Sequence, residues 1–355
     1  MTDTTIGRLS TRFAPGRRGY AEKVNPELFR LLEAVDLDIE YVSGRGTELY
    51  DTFGRTHLDF AGAYGALPFG HDPQCVWRAI DAVRERSEAI FVQPSVLHPA
   101  GELAEKLVAV APPGLGRVTY VNSGAEAMEV VFKIARAATG RLGILSTRNS
   151  FHGKTLGALS ATGNSRYQVG FGAPVDGFDT IEFGDSDALD ETLRASGGRF
   201  AVFVVEPIQG EGGVVTPPEG YLSRVREICS RHGVLMAVDE VQTGLGRTGQ
   251  LFACDHEGVV PDILALAKAL GGGVLPSGAV LCKPELVNES FALRHTSTFA
   301  GNALTARVGI AVVDELTAHS QALVTRVREV GEVLKFELQK LALKYPSVVT
   351  DVRGR

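Results

Sequence analysis

The sequence predicts an α/β fold: a mostly parallel mixed sheet sandwiched by helices, with a smaller α+β domain built from both termini. Three observations carry this. Short runs rich in aliphatic and β-branched residues recur at 118–121, 143–146, 201–205, 234–238, 263–267 and 279–282, and segments with helical spacing, among them 125–138 and 221–232, separate them. These runs are continuously apolar rather than alternating, which marks strands buried on both faces. Residues 39–60 behave differently, alternating apolar and polar side chains around glycine turns, as a small antiparallel hairpin sheet does.

Residues up to Arg18 read as a mobile arm. The arginines and hydroxyls of its first dozen residues loosely resemble a transit peptide, against which stand Asp3 and the weak apolar face. A helix is expected over 26–35, with Asn25 as its cap and Pro26 in the first turn. The expected organisation is an arm and part of a small domain over 1–60, a large domain over 61–301, and connecting helices leading into the rest of the small domain over 302–355. In that last part, 303–317 and 321–343 have helical spacing. Residues 346–355 read as a strand that stops at its first turn. A lone terminal strand needs a partner, so the chain is expected to be incomplete, or its edge to be covered by another subunit.

The 355 residues suffice for one large domain plus a smaller one, and a composition of 44% hydrophobic and 22% charged residues is that of an ordinary globular protein. A net charge of −6 without long runs of one sign argues against nucleic acid or anionic membrane as a partner. The apolar stretches are too short to span a bilayer. Four scattered cysteines (Cys75, Cys229, Cys254, Cys282) read as reduced thiols of a cytoplasmic protein. The eight histidines show no HxxxH or HExxH spacing, so no metal site is expected.

The chemistry concentrates at Lys268, set between the apolar run 264–267 and Gly271-Gly272-Gly273. A lysine in apolar surroundings loses proton affinity, because its charged form is poorly solvated, and the neutral amine is a nucleophile. Asp239 ends the strand-like run 233–238, where a pyridinium nitrogen would want an anion. Together they point to a lysine Schiff base with pyridoxal 5′-phosphate and an aspartate keeping the ring nitrogen protonated. Four further segments join this pair. Asn122-Ser123-Gly124-Ala125 links a strand to a helix; its free N–H groups and the Ser123 hydroxyl could cradle a phosphate, or Ser123 could be a plain cap. Phe151-His152-Gly153 offers an aromatic that could stack on a ring or simply belong to the core. Glu206 to Gly213 follows the strand 201–205, where open α/β sheets bind ligands, though a solvated loop would read the same. Residues 295–302 form a hydroxyl-rich turn that could meet a second phosphate face or cap the following helix. Gly244-Leu-Gly246-Arg-Thr-Gly249 matches a dinucleotide fingerprint, but Asp239-Glu240 would face the pyrophosphate and no helix start follows Gly249.

In order and spacing, Ser123-Gly124-Ala125, Phe151-His152, Glu206-Pro207, Asp239-Glu240-Val241-Gln242, Lys268 and Thr298 resemble the class III aminotransferases of PLP fold type I, among them the ornithine, acetylornithine, 4-aminobutyrate and putrescine enzymes. The likeness runs from about residue 50 to 315. It implies that Lys268 carries the cofactor and moves the substrate proton, and that Asp239 pairs with the pyridinium. Gln242 would approach the phenolic oxygen, Phe151 and Val241 would sandwich the ring, and His152 and Glu206 would join the cofactor set. Ser123, Gly124 and Ala125 would hold the phosphate, and Thr298 would reach the phosphate of the neighbouring subunit of a homodimer. On the substrate side, Glu211 matches the family's gate glutamate, which favours a glutamate/2-oxoglutarate couple, and Tyr64 is placed with it. Lys154 stands where the ornithine and acetylornithine enzymes carry an arginine that clamps an α-carboxylate. An ammonium cannot make that planar two-pronged contact. The segment is instead similar to the putrescine-type enzymes, although a surface lysine without a role would read the same.

The resemblance therefore implies a ping-pong aminotransferase acting between a primary amine or ω-amino acid and a 2-oxo acid. An aminomutase or racemase of the same fold, and a non-catalytic binding or scaffold module, remain the alternatives.

Overall fold

The computed structural model describes residues 15–92 and 94–355. Residues 1–14, which carry most of the expected arm and the transit-like segment, lie outside the described residues. The chain divides into two compact units, residues 1–62 with 69–73, and residues 63–68 with 74–355.

In the first unit, helix α1 (Pro26–Ala34) begins as its sequence requires. The Asn25 side chain accepts from Leu28 N at 3.0 Å, and Pro26 occupies the first turn, where its missing N–H leaves no bond unmade. The alternating segment forms the three-stranded antiparallel sheet β1 (Tyr41–Arg45), β2 (Glu48–Asp51) and β3 (Thr56–Leu58), in that order.

The second unit is built on a seven-stranded sheet: β4 (Arg117–Val121), β5 (Gly143–Thr147), β6 (Phe178–Ile181), β7 (Phe200–Val205), β8 (Leu235–Asp239), β9 (Ile263–Leu266) and β10 (Gly278–Cys282). Its order is β4-β10-β9-β8-β7-β5-β6. Only β10 runs antiparallel, against both neighbours, so the sheet is mixed and mostly parallel, as the sequence predicts. Every residue of β5, β7, β9 and β10 is buried, which is why these strands read as unbroken apolar runs.

Helices flank the sheet. Helices α2 (Gln74–Glu85) and α3 (His98–Val110) precede β4, and α4 (Gly124–Thr139) packs on β4 and on β7 to β10. The core between α4 and the sheet includes Met128, Val131, Phe132, Val202 and Ala265. Helix α5 (Leu156–Ala161) lies on β5 and β6, and α6 (Ser186–Ala195) pairs with α7 (Tyr221–His232). The C-terminal helix α8 (Ala303–Lys344) packs on α2 and α3 and leaves the helical region at Ala318–Gln321, so the two expected helical segments are one element with a kink. No described helix is long and apolar enough to cross a membrane.

Two sequence expectations change. Residues 346–355 are not a strand: with no neighbouring strand to bond, they form turn and coil, held by Lys335 Nζ donating to Gly354 O (2.8 Å) and Arg353 Nε donating to Gly213 O (2.9 Å). Edge strand β6 carries no sequence signal strong enough to predict it, because it is four residues long and includes an aspartate.

Candidate active site

Beyond the carboxyl ends of β7, β8 and β9 lies a cavity of about 690 Å³. Lys268 enters it from the short turn after β9, where its backbone adopts φ +40°, a conformation rare for residues with a side chain. Burial pushes the Lys268 amine below its ordinary value, and the charges of Asp239, Glu206 and Glu211 only partly restore it. Asp239 ends β8, nearly sealed from solvent. Its Oδ2 accepts from His152 Nδ1 at 2.7 Å and its Oδ1 from the Val241 N–H at 3.0 Å. Burial alone would drive the His152 ring towards neutrality, but the hydrogen bond and charge of Asp239 outweigh it and raise the ring above its ordinary value. Its second nitrogen, Nε2, is buried without a hydrogen-bond partner among the described residues.

Glu206 is the third buried group. Its carboxylate accepts from Phe151 N (2.9 Å) and Gly210 N (3.3 Å), tying together the two loops that wall the cavity. Burial pushes this carboxyl up to about 7. The adjoining Gly153 is at φ +130°, and a Cβ there would come within 2.6 Å of the Ala125 Cβ, so only glycine lets this loop pass the start of α4. A Cβ on Gly124 would similarly lie 2.8 Å from Val241.

Most of the predicted site residues come together here. Lys268, Asp239, Phe151, His152, Glu206, Val241, Gln242, Gly124 and Ala125 line the cavity, and so do Lys154, Glu211 and Tyr64 on the substrate side. Gln242 Nε2 also donates to Tyr64 O at 3.1 Å, fixing the loop that carries that tyrosine. Two residues stand apart. The Ser123 hydroxyl accepts from Glu126 N at 3.2 Å, as a plain cap would, and does not line the cavity. Thr298 is exposed and outside the cavity; its neighbour Ser297 accepts from Asn122 Nδ2 at 3.0 Å, at the start of α4.

The dinucleotide reading fails on geometry as well as charge: residues after β8 form successive turns, and no helix follows Gly249. No described group of His, Cys, Asp or Glu could hold a metal. Sequence reading missed Tyr167, which meets Phe151 edge to face at 5.8 Å, lies under the Lys154 ammonium and donates to Glu211. Its only signal was an aromatic inside the short helical turn after Gly163-Asn164. It also missed Glu240, whose buried carboxylate accepts from Thr243 Oγ1 (2.9 Å), Ala253 N (2.8 Å) and Cys254 N (2.8 Å).

Residues 33–355 match the family model described as aminotransferase class-III. The chain belongs to the class III aminotransferases. It is 41% identical over 342 residues, 95% of its length, to the aminotransferase PigE of Serratia sp. (strain ATCC 39006), and spans 40% of the length of that relative. Among solved structures it is similar to the ornithine aminotransferase of Toxoplasma gondii (TM-score 0.83, 30% identity, all of this chain and 83% of that one). It is also similar to a PLP-bound amine transaminase from an uncultivated Pseudomonas species (TM-score 0.82, 31% identity, 89% and 78% of the two chains). The ω-transaminase of Pseudomonas jessenii superposes with a TM-score of 0.85 at 25% identity, over 92% of this chain and 79% of that one.

The donor set fits the cofactor that this family uses. A buried amine of lowered proton affinity, a buried carboxylate and the apolar walls Phe151 and Val241 are what a planar aldehyde with a protonatable ring nitrogen requires.

Proposed function

We propose that the chain holds pyridoxal 5′-phosphate covalently at Lys268 and transfers an amino group between a primary amine or ω-amino acid and a 2-oxo acid. The observation that carries this reading is the Lys268 amine, depressed by burial, in the same cavity as the sealed Asp239 carboxylate. The cofactor supplies an aldehyde to capture the amine and an electron-withdrawing ring. The rest falls to the protein. Lys268 Nζ, neutral because its charged form is poorly solvated, is both the nucleophile that carries the group and the base that takes the proton from the substrate carbon. Asp239 keeps a proton on the ring nitrogen, and His152, bonded to it at 2.7 Å, fixes its orientation. Phe151 and Val241 enclose the ring, and Gln242 meets its oxygen. The N–H groups at Gly124 and Ala125, with Ser123, receive the phosphate at the positive end of α4.

Glu211 supports 2-oxoglutarate and glutamate as one couple, and Lys154 in place of a clamping arginine supports a donor without an α-carboxylate. Thr298, exposed and away from its own chain's cavity, supports a dimer with shared sites. A single-turnover experiment tests the reaction class. Protein loaded with cofactor and mixed with a diamine alone should release about one aldehyde per site and stop until 2-oxoglutarate is added. Continuous turnover without an acceptor, or none with one, would refute it.

A further inference from the structure

Opposite charges line one wall of the cavity without neutralising each other. Lys154 Nζ lies 4.7 Å from the centroid of the Tyr167 ring, while the Tyr167 hydroxyl donates to Glu211. Among the described residues, neither Lys154 nor Glu211 forms an ion pair with another side chain. The ring between them is held from behind. Its edge contact with Phe151 links it to a residue whose N–H is bonded to buried Glu206. The turn that carries it (Ser165–Gln168) is capped by Asn164 and pinned by Gln168 Nε2, which donates to Leu159 O (3.1 Å) and Thr162 O (2.8 Å). The hydrogen bond to Glu211, with some burial and the Glu211 charge, holds the phenol above its ordinary value, so it remains a donor through neutral pH.

We propose that Tyr167 is a positioning residue that keeps two subsites of opposite charge apart in one cavity: Glu211 for the distal ammonium of a diamine donor, Lys154 for the carboxylate of the 2-oxo acid acceptor. The proposal rests on the transaminase reading of this cavity. An enzyme working in two half-reactions must receive a cationic substrate and then an anionic one in the same space. A direct Lys154–Glu211 ion pair would serve neither, since each arriving charge would have to break it. An aromatic ring attracts the ammonium to its face and the carboxylate to its hydroxyl, and so leaves both charges open to a ligand. The lysine then has a task compatible with its chemistry: a point charge facing the acceptor's carboxylate rather than a bidentate clamp.

The test uses the full chain loaded with cofactor, with each half-reaction followed separately for putrescine and for 2-oxoglutarate. Y167F keeps the ring and loses the donor. It should raise the KM for putrescine about tenfold, the effect of losing a hydrogen bond to a charged group, while moving that for 2-oxoglutarate by less than about threefold. E211Q should follow the same pattern, and K154M the reverse. Y167L, which removes ring and hydroxyl together, should raise both. Equal effects of Y167F on the two substrates, or a failure of K154M and E211Q to separate them, would overturn the proposal. Calorimetric titration of the same chain with each compound, before cofactor is added, reads the subsites without turnover. Discrimination there by K154M and E211Q supports the subsites even if no amino transfer occurs, and its absence refutes them even in an active transaminase.

Discussion

Lys268 combines two features that are costly to the folded chain: an amine with 3% to 8% exposed neighbours on both sides in sequence, Ala267 and Ala269, and a backbone in the left-handed region. That conformation costs a side-chain-bearing residue about 1 kcal/mol, a cost expected where function rather than stability selects the residue. K268G should therefore be more stable than K268A by roughly that amount in urea melts, with both unable to hold the cofactor covalently. D239N makes a different prediction. It keeps the shape and removes the charge that matches a protonated ring nitrogen, so cofactor attachment should survive while the rate of amino transfer falls at least about a hundredfold, in line with breaking a buried charge pair. Both residues were legible in the sequence, because each lies at the end of an apolar run that can only be a buried strand. Tyr167 was not, since its partners Phe151, Lys154 and Glu211 come together only through tertiary folding.

At the level of elements, the turn after β8 depends on Glu240. Its carboxylate is buried, bonded to Thr243 and to the N–H groups of Ala253 and Cys254, and burial pushes it up from 4.5 to about 7 despite those donors. For an acid whose folded value is raised, the folded state binds more protons than the unfolded one between the two values, so stability falls as pH rises through that window. Glu206, also raised to about 7, acts in the same direction. The contribution of Glu240 is up to about 3 kcal/mol between pH 4.5 and 7. Urea melts at pH 5 and pH 7.5 should thus show a smaller loss of stability for E240Q than for the parent; equal losses would contradict this account. None of this was visible beforehand. Asp239-Glu240 read as two carboxylates at a strand end, and only the packing shows that one faces the cavity while the other fastens the backbone of the next turn. The opposite error, the strand expected over 346–355, has a related cause: strand-like composition produces a strand only where another edge is available.

On the scale of the whole molecule, the mixed sheet was legible because strands buried on both faces leave continuous apolar runs, and the reversed β10 was not, because strand direction depends on the connections. The surface carries exposed apolar side chains close to the loop of Thr298: Phe299 is 61% exposed and packs edge to face with Phe91, itself 49% exposed. Apolar rings left in water are the kind of surface that a second subunit covers. If two chains share their sites, a hybrid of K268A and T298R should recover activity that neither variant shows alone, because one of its two sites has an intact lysine and an intact threonine. Purified mixtures refolded together and assayed against each variant alone would decide this.

The central claim, that Lys268 is the covalent anchor, is tested most directly by borohydride reduction of the cofactor-treated full chain followed by peptide mass analysis. A phosphopyridoxyl group on the peptide containing Lys268, absent from K268A, is the predicted result. Labelling of K268A to the same extent as the parent, or no labelling of either, would contradict it.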